Sequence, residues 1–203
     1  MPRGRLIVIA GPSGVGKGTL VRRLLARDPE RLVLSISVTT RAPRAGERDG
    51  VEYRFVDDAA FDALRAAGAL LESAEVFSGT RYGTPRAFVQ ERLADGRDVI
   101  LEIDVQGAHQ VRASAPDALL VLLAPPSMDD LEARLRGRGT ESEAAIAERL
   151  RTAERELAQR DAFDHEVVND DLDRATDEVA AIIQASRPAD LQERIPHDRT
   201  EDR

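Results

Sequence analysis

Apolar runs and turn residues alternate along this chain, and their periods predict strands and helices in turn. Arg5 to Ala10 (RLIVIA) is an apolar, β-branched run of the kind that forms a buried strand. Lys17 to Arg27 has helical spacing, with Leu20, Val21, Leu24 and Leu25 on one face. Leu32 to Val38 predicts a short extended segment and Tyr53 to Val56 a strand, with an Arg-, Pro- and Gly-rich loop between them. A helix begins at Asp58, carries Phe61, Leu64 and Arg65 at helical spacing, and ends near Gly68. Leu70 to Phe77 predicts an extended segment closed by a turn at Ser78-Gly79. Thr84 predicts the cap of the next helix, with Pro85 at its first position and an end by Gly96. Asp98 to Asp104 (DVILEID) predicts a central strand, Gly107 to Ala113 a short helix, and Ala118 to Leu123 another buried strand. Ser127 predicts a cap for a helix running to about Arg136, which Gly137 to Thr140 break. Glu141 to Arg160 reads as a long charged helix with i,i+4 opposite charges such as Glu156 and Arg160. Glu166 to Val168 predicts a short strand and Leu172 to Ala185 the last helix.

Strands at 5–10, 99–103, 118–123 and 166–168, separated by helices, imply an α/β fold of three layers: a central parallel sheet covered on both faces. Mixed short elements over 37–96 interrupt that pattern and predict an inserted lobe. Arginines around glycines over 134–150 predict a mobile helical lid. The expected organisation is one domain over 1–186, its core formed by 1–36 and 97–186. Pro, Asp, Glu and Arg dominate from Arg187 to Arg203, which predicts a disordered tail.

Composition narrows the function classes. A net charge of −8 is the wrong sign for a nucleic-acid binder, so local basic clusters are read as sites for small anions. The chain has no cysteine, which excludes disulfides, thiolate metal sites and a cysteine nucleophile. No apolar stretch is long enough to span a membrane and no signal peptide opens the sequence, so a cytoplasmic protein is expected. The three histidines show no Ser-His-Asp arrangement and no metal-ligand spacing.

Lys17 is the only lysine in the chain, every other strong base being arginine. It sits in Gly11-Pro12-Ser13-Gly14-Val15-Gly16-Lys17-Gly18-Thr19, between the first strand and the first helix. A glycine turn in that setting points backbone N–H groups at phosphate oxygens, and a compact ammonium can then reach the β- and γ-phosphates. A planar guanidinium does not replace that point charge. The usual motif has Ser or Thr directly after the lysine as a Mg²⁺ ligand, whereas here Gly18 stands there and Thr19 follows. Any Mg²⁺ then depends on phosphate oxygens and water, as that ion readily does. A phosphate-binding loop alone could serve a GTPase, an ATPase motor or a small-molecule kinase.

A second constellation lies in Ser37-Val38-Thr39-Thr40-Arg41-Ala42-Pro43-Arg44-Ala45-Gly46-Glu47, where two arginines three apart on a proline-stiffened loop can grip one phosphate. Tyr53 and Tyr82, the only tyrosines, flank the same lobe and can donate phenolic O–H groups. With these residues in view, the chain resembles the bacterial guanylate kinases, P-loop nucleoside monophosphate kinases that phosphorylate GMP with ATP. The matching segments are GPSGVGKGTL, SVTTRAPRAGE with DGVEY, LLESAEVF with YGT, ILEIDVQGA, LLAPPS, RLRGRGTE and VVNDDL, spanning positions 11 to 171.

The resemblance implies a P-loop fold with a GMP-binding lobe and a lid, and roles for individual residues. ATP would bind Gly11, Pro12, Ser13, Gly14, Val15, Gly16, Lys17, Gly18 and Thr19, with Asn169 near the adenine. Arg41, Arg44, Tyr53 and Tyr82 match the positions that hold the GMP phosphate. Glu72 matches the guanine reader, since a carboxylate can accept both N1–H and N2–H, a donor pair that adenine lacks. Ser37, Gly83 and Thr84 match positions beside the base. Glu102 and Asp104 share one strand face at i and i+2 and both count among the implied GMP-binding residues; the resemblance places Asp104 between the two nucleotides, with Mg²⁺ near Thr19 and Asp104, and the alternative for Glu102 is to orient neighbouring arginines. Arg138 and Arg149 match lid arginines that neutralise the transferring phosphoryl group, and Arg134 is a weaker match. Lys17, Arg41, Asp104, Arg138 and Arg149 are thus the implied catalytic set. The implied partners are ATP and GMP, with dGMP a further acceptor to test, and Mg²⁺ accompanies ATP; oligomeric state is left open. Two rivals stand beside this reading. One is an inactive guanylate-kinase-like binding module, against which the intact loop with Lys17 argues. The other is a P-loop kinase of another small phosphorylated substrate, against which Arg41, Arg44, Tyr53 and Glu72 argue.

Overall fold

The apolar runs are drawn into one sheet. A computed structural model describes residues 3–44, 46–76, 79–137, 139 and 142–187. Strands β1 (Leu6–Ala10), β2 (Leu32–Leu34), β7 (Asp98–Glu102), β8 (Leu119–Ala124) and β9 (His165–Val168) pair in the order β2-β7-β1-β8-β9, all parallel. Ile7 lies opposite Ile100 on one side and Leu119 on the other. The central strands are apolar at consecutive positions because both faces are covered.

Alternate residues feed two cores. Ile7, Ile9, Ile100, Val121 and Leu123 pack under four helices, α1 (Lys17–Arg27), α5 (Met128–Arg136), α6 (Glu143–Leu157) and α7 (Leu172–Ala185), through Leu20, Leu131, Ile146 and Val179 among others. Leu6, Val8, Val99, Leu101 and Leu120 pack on the opposite face under α3 (Arg86–Ala94) and α4 (Val105–Ser114). This is the expected three-layer α/β fold. Among the described residues no helix is long and apolar enough to cross a membrane.

A second sheet stands between β2 and β7 in sequence. It has the order β4-β3-β6-β5, from β3 (Val38–Thr39), β4 (Arg54–Phe55), β5 (Leu70–Val76) and β6 (Thr80–Pro85). Helix α2 (Asp58–Ala66), capped by the Asp57 carboxylate, completes this lobe with Phe61, Val38 and Leu70 as its small core.

Several elements differ from the sequence expectation. Leu32 to Val38 divides: its first part is the fifth strand of the main sheet and its end belongs to the small one. Thr84 does not cap α3. It lies in β6, its hydroxyl is committed elsewhere, and Pro85 occupies the cap without a side-chain bond. Helix α3 itself packs on the main sheet through Val89 and Leu93, so the elements particular to the small sheet end at β6. Glu156 and Arg160 do not pair. Helix α6 stops at Leu157, and a 3₁₀ turn over Arg160–Ala162 carries Arg160 to Glu166, 3.5 Å away. Within the stretch expected to form the lid, Leu135 and Ile146 are buried in the main core, which anchors both flanking helices. Arg187, the first residue of the expected tail, bonds Asp98; Ala45, Phe77, Ser78, Thr140, Glu141 and 188–203 lie outside the described residues.

Candidate active site

The phosphate-binding loop follows β1 and enters α1 at the C-terminal edge of the sheet. Gly11 has φ 145°, and a Cβ there would stand 2.2 Å from the Leu123 carbonyl oxygen, so strand β8 itself excludes a side chain. Gly16 caps α1 with φ 104°, and a Cβ there would meet Asn169 Nδ2 at 2.5 Å. That same Nδ2 donates to the Val15 carbonyl at 2.8 Å. Arg134 donates to Val15 O at 3.2 Å and to Asn169 O at 2.7 Å, so α5 and the segment after β9 knot the loop in place. A cavity of about 300 Å³ opens between Gly14, Gly16 and Thr19 on one side and Arg134, Asn169 and Leu172 on the other. Asn169 therefore combines a wall position with a buried loop-pinning bond that the sequence did not show.

Lys17 Nζ folds over the loop and donates to the carbonyls of Gly11 and Pro12. Arg149 reaches across from α6 to donate to Ser13 Oγ at 2.6 Å. One loop residue, Ser13, thus contacts the arginine that the resemblance assigns to the lid. Arg138, the other such arginine, lies outside the described residues. Burial pushes the Glu156 carboxyl of α6 above the ordinary range, while Lys17 pulls it back and Asp104 adds to the rise. Glu156, read from the sequence as the partner of Arg160, thus feels both Lys17 and Asp104.

Across the cleft, Arg41 is held from four directions. Its Nη1 and Nη2 form a two-pronged pair with Glu47 at 2.7 and 2.9 Å, its Nε donates to Tyr82 O–H at 3.2 Å, and Nη1 also donates to Ala42 O. The guanidinium lies 5.1 Å from the Tyr53 ring centre, and Tyr53 meets Tyr82 edge-on. Glu47 also accepts the Arg44 backbone N–H at 2.7 Å. Hydrogen bonds from Arg41, then from Arg44, hold the Glu47 carboxyl at about 2. Arg44 itself is exposed. Ser37 opens β3, its carbonyl accepting Arg54 N–H. Gly83 lets β6 lie close to β5, since a Cβ would stand 2.8 Å from Leu70 and 3.1 Å from the Glu72 carbonyl. Glu47 closes the arginine motif, and a carboxylate three residues past the arginine pair is the sequence signal for this role.

Glu72 is the least expected ionisable group to be so buried, at 4% exposure. It accepts the Thr84 hydroxyl at 2.7 Å. Burial pushes its carboxyl up to about 7, with Thr84 pulling down and Asp104 adding to the rise. Asp104 caps α4, accepting Gly107 N–H at 2.7 Å. Gly107 is what makes room: a Cβ there would be 3.0 Å from Glu72 Oε2. A buried carboxylate with one oxygen satisfied is a selective acceptor for paired N–H donors, because an incorrect ligand leaves it unpaired.

Glu102 ends β7 facing the loop. A Cβ on Gly18 would lie 3.2 and 3.4 Å from its two oxygens, so the carboxylate fronts the place where a hydroxyl-bearing residue normally stands. Among the described residues no group of three or more His, Asp or Glu is placed to hold a metal by itself. The oxygen donors near Gly18 nevertheless suit a hard cation that arrives with phosphates and keeps its waters.

The described site residues therefore fall into three groups: Lys17, Ser13, Arg149 and Asn169 at the loop after β1, Arg41, Tyr53 and Tyr82 in the small lobe, and Glu72, Thr84 and Asp104 where β5 and β6 meet α4. Comparison with known proteins identifies the family. The family model described as "Guanylate kinase" matches residues 3–186. The chain is 59% identical over 181 residues to a guanylate kinase of Thermobifida fusca, covering 89% of this chain and 91% of the relative. It is 57% identical over 185 residues to a guanylate kinase of a Synechococcus sp., covering 91% and 98%. Its fold is similar to the crystal structure of guanylate kinase from Anaplasma phagocytophilum, with TM-score 0.72 and 34% identity over 91% of this chain and 87% of the other.

Proposed function

The chain belongs to the guanylate kinase family and transfers the γ-phosphoryl group of ATP to GMP; we propose that its loop side holds ATP and its small lobe holds GMP. The observation that carries this division is the buried Glu72, which has the chemistry to read guanine and lies in the wall of the lobe that also presents Arg41. ATP phosphates lie on the N–H groups of Gly14 to Thr19, with Lys17 leaving the Gly11 and Pro12 carbonyls to follow the moving phosphoryl group. The adenine occupies the cavity beside Arg134 and Asn169. Arg149 transfers from Ser13 to the phosphoryl oxygens, and Arg138 joins it; charge neutralisation of this kind does most of the catalytic work in phosphoryl transfer.

GMP phosphate is gripped by Arg41 and Arg44 with the hydroxyls of Tyr53 and Tyr82, and Ser37, Gly83 and Thr84 border the base. Ionised Glu72 accepts guanine N1–H and N2–H, and Asp104 keeps the acceptor end of the cleft negative. Mg²⁺ supplies charge neutralisation on the β- and γ-phosphates when bound with ATP. Glu102, Asp104 and Thr19 are the residues that would hold its waters. We place this activity in cytoplasmic purine nucleotide recycling. A coupled ADP-release assay with GMP, dGMP, AMP and phosphorylated sugars tests the reading: turnover with GMP is expected, and its absence under saturating MgATP refutes it.

A further inference from the structure

Glu72 does not aim itself. Strand β5 is the outer strand of the small sheet, so its free edge presents main-chain N–H and C=O groups with no neighbouring strand. Gln110, from helix α4 of the core, satisfies both groups of a single residue on that edge. Its Oε1 accepts Ser73 N–H at 3.0 Å, and its Nε2 donates to Ser73 O at 2.9 Å. One planar amide thus stands in for one residue of a missing strand. The opposite amide orientation would set donor against donor and acceptor against acceptor.

The gripped residue is significant. Pairing between β5 and β6 slips between Leu70 and Ser73: Leu70 lies opposite Pro85, and Ser73 opposite Gly83. Leu71 and Glu72 occupy that irregularity, where a strand bends and re-aims a side chain. Ser73 is the first residue back in register, and Gln110 pins it from outside while Gly83 pairs it from inside. On the other flank Ser114 Oγ donates to Leu71 O at 3.4 Å. Asp104, Gly107 and Gln110 recur every three residues along α4. The first caps the helix, the second leaves space for Glu72 Oε2, and the third fixes the main chain one residue beyond it.

We propose that Gln110 is a positioning residue for nucleobase recognition: it holds the irregular turn of β5 so that the Glu72 carboxylate faces the base rather than sliding along the strand. The inference rests on the reading of Glu72 as the guanine acceptor. Its consequence is asymmetric, since both bonds of the clamp fall on the Ser73 main chain, directly beside Glu72.

Gln110→Met keeps length and flexibility while removing both hydrogen bonds. Steady-state kinetics with saturating MgATP should show KM for GMP raised about tenfold, the loss expected for two neutral bonds, with kcat and KM for ATP within about twofold. Gln110→Glu retains the acceptor for Ser73 N–H but sets a carboxylate against Ser73 O and adds charge near Glu72 and Asp104. It should weaken GMP further and move the acid limb of kcat/KM for GMP to higher pH. Ser73→Ala should match wild type, because only main-chain atoms of Ser73 are used. An unchanged KM for GMP in Gln110→Met, or an equal rise in both KM values, overturns the proposal. If Gln110→Met fails to fold, an unmoved acid limb in Gln110→Glu overturns it instead. Failure of the wild type to phosphorylate GMP would refute the family activity, a separate result read before any variant is made.

Discussion

Glu72→Gln should make the protein more stable and nearly useless. The carboxyl is 4% exposed and titrates at about 7 in the fold, against 4.5 for an unburied glutamate. Below pH 4.5 it is neutral in both the folded and unfolded chain and carries no ionisation penalty. As pH rises through the folded value the chain must hold a buried anion, and the full gap is lost from stability, about 3 kcal/mol at roughly 1.4 kcal/mol per pH unit. Glutamine is neutral throughout, and its carbonyl can still accept the Thr84 hydroxyl. The variant should therefore exceed wild type by about 1.4 kcal/mol at pH 5.5 and by about 3 kcal/mol at pH 8. At roughly 2–4 °C per kcal/mol for a chain of this size, that is a gain in Tm of about 3–6 °C growing to about 6–12 °C. Differential scanning calorimetry of both proteins at the two pH values reads this directly. The same substitution turns an acceptor into a donor facing guanine, so kcat/KM for GMP should fall at least about a hundredfold while KM for ATP holds. In wild type, kcat/KM for GMP should decline as pH drops below about 7, where the carboxyl takes up a proton. A Tm difference that does not grow with pH, or parallel losses for GMP and ATP, would refute the reasoning.

Two further substitutions separate chemistry from scaffold. Lys17→Arg preserves charge but replaces the compact ammonium that donates to the Gly11 and Pro12 carbonyls with a broad planar guanidinium; kcat in the coupled assay should fall at least about a hundredfold while Tm drops by only a few degrees, and a loss of kcat under tenfold would contradict the role. Asp98→Ala, at the opposite end of the sheet, removes the acceptor of Arg5 N–H at 2.8 Å and of the buried Arg187 guanidinium at 3.0 Å. Breaking such a pair costs about 3–5 kcal/mol, and Asp28, 3.8 Å from Arg187, recovers part of it. Thermal unfolding should shift down by several degrees while kcat at room temperature stays at the wild-type value.

What could be read along the chain was whatever a short stretch decides for itself. Helix α1 over Lys17–Arg27, α7 over Leu172–Ala185 and the Ser127 cap of α5 follow from local periodicity and local hydrogen bonding. Lys17, Arg41 and Arg44 could be singled out because their chemistry and spacing are carried by a few consecutive residues. Thr84 shows where such reasoning stops. Threonine before Pro85 satisfies every local rule for a helix cap, yet its hydroxyl goes to Glu72, because an unpaired buried carboxylate costs more than an uncapped helix end that Pro85 already tolerates. Leu32–Leu34 shows a related limit: the extended segment expected over Leu32 to Val38 does not say which sheet it joins, and only pairing with β7 makes its first three residues part of the main one. Gln110 is the sharper case. A glutamine inside a helix reads as solvated surface, and nothing near it announces a task. Its partner is a main-chain edge 37 residues earlier, unpaired only because β5 happens to be outermost. Residues that touch a substrate must have particular chemistry and so leave a pattern. Residues that aim them need only a donor and an acceptor in the right place, which the topology defines and the sequence does not mark. The side chains most open to discovery in a family with a known reaction are accordingly those, like Gln110, that bond the backbone next to a recognised residue rather than the substrate itself.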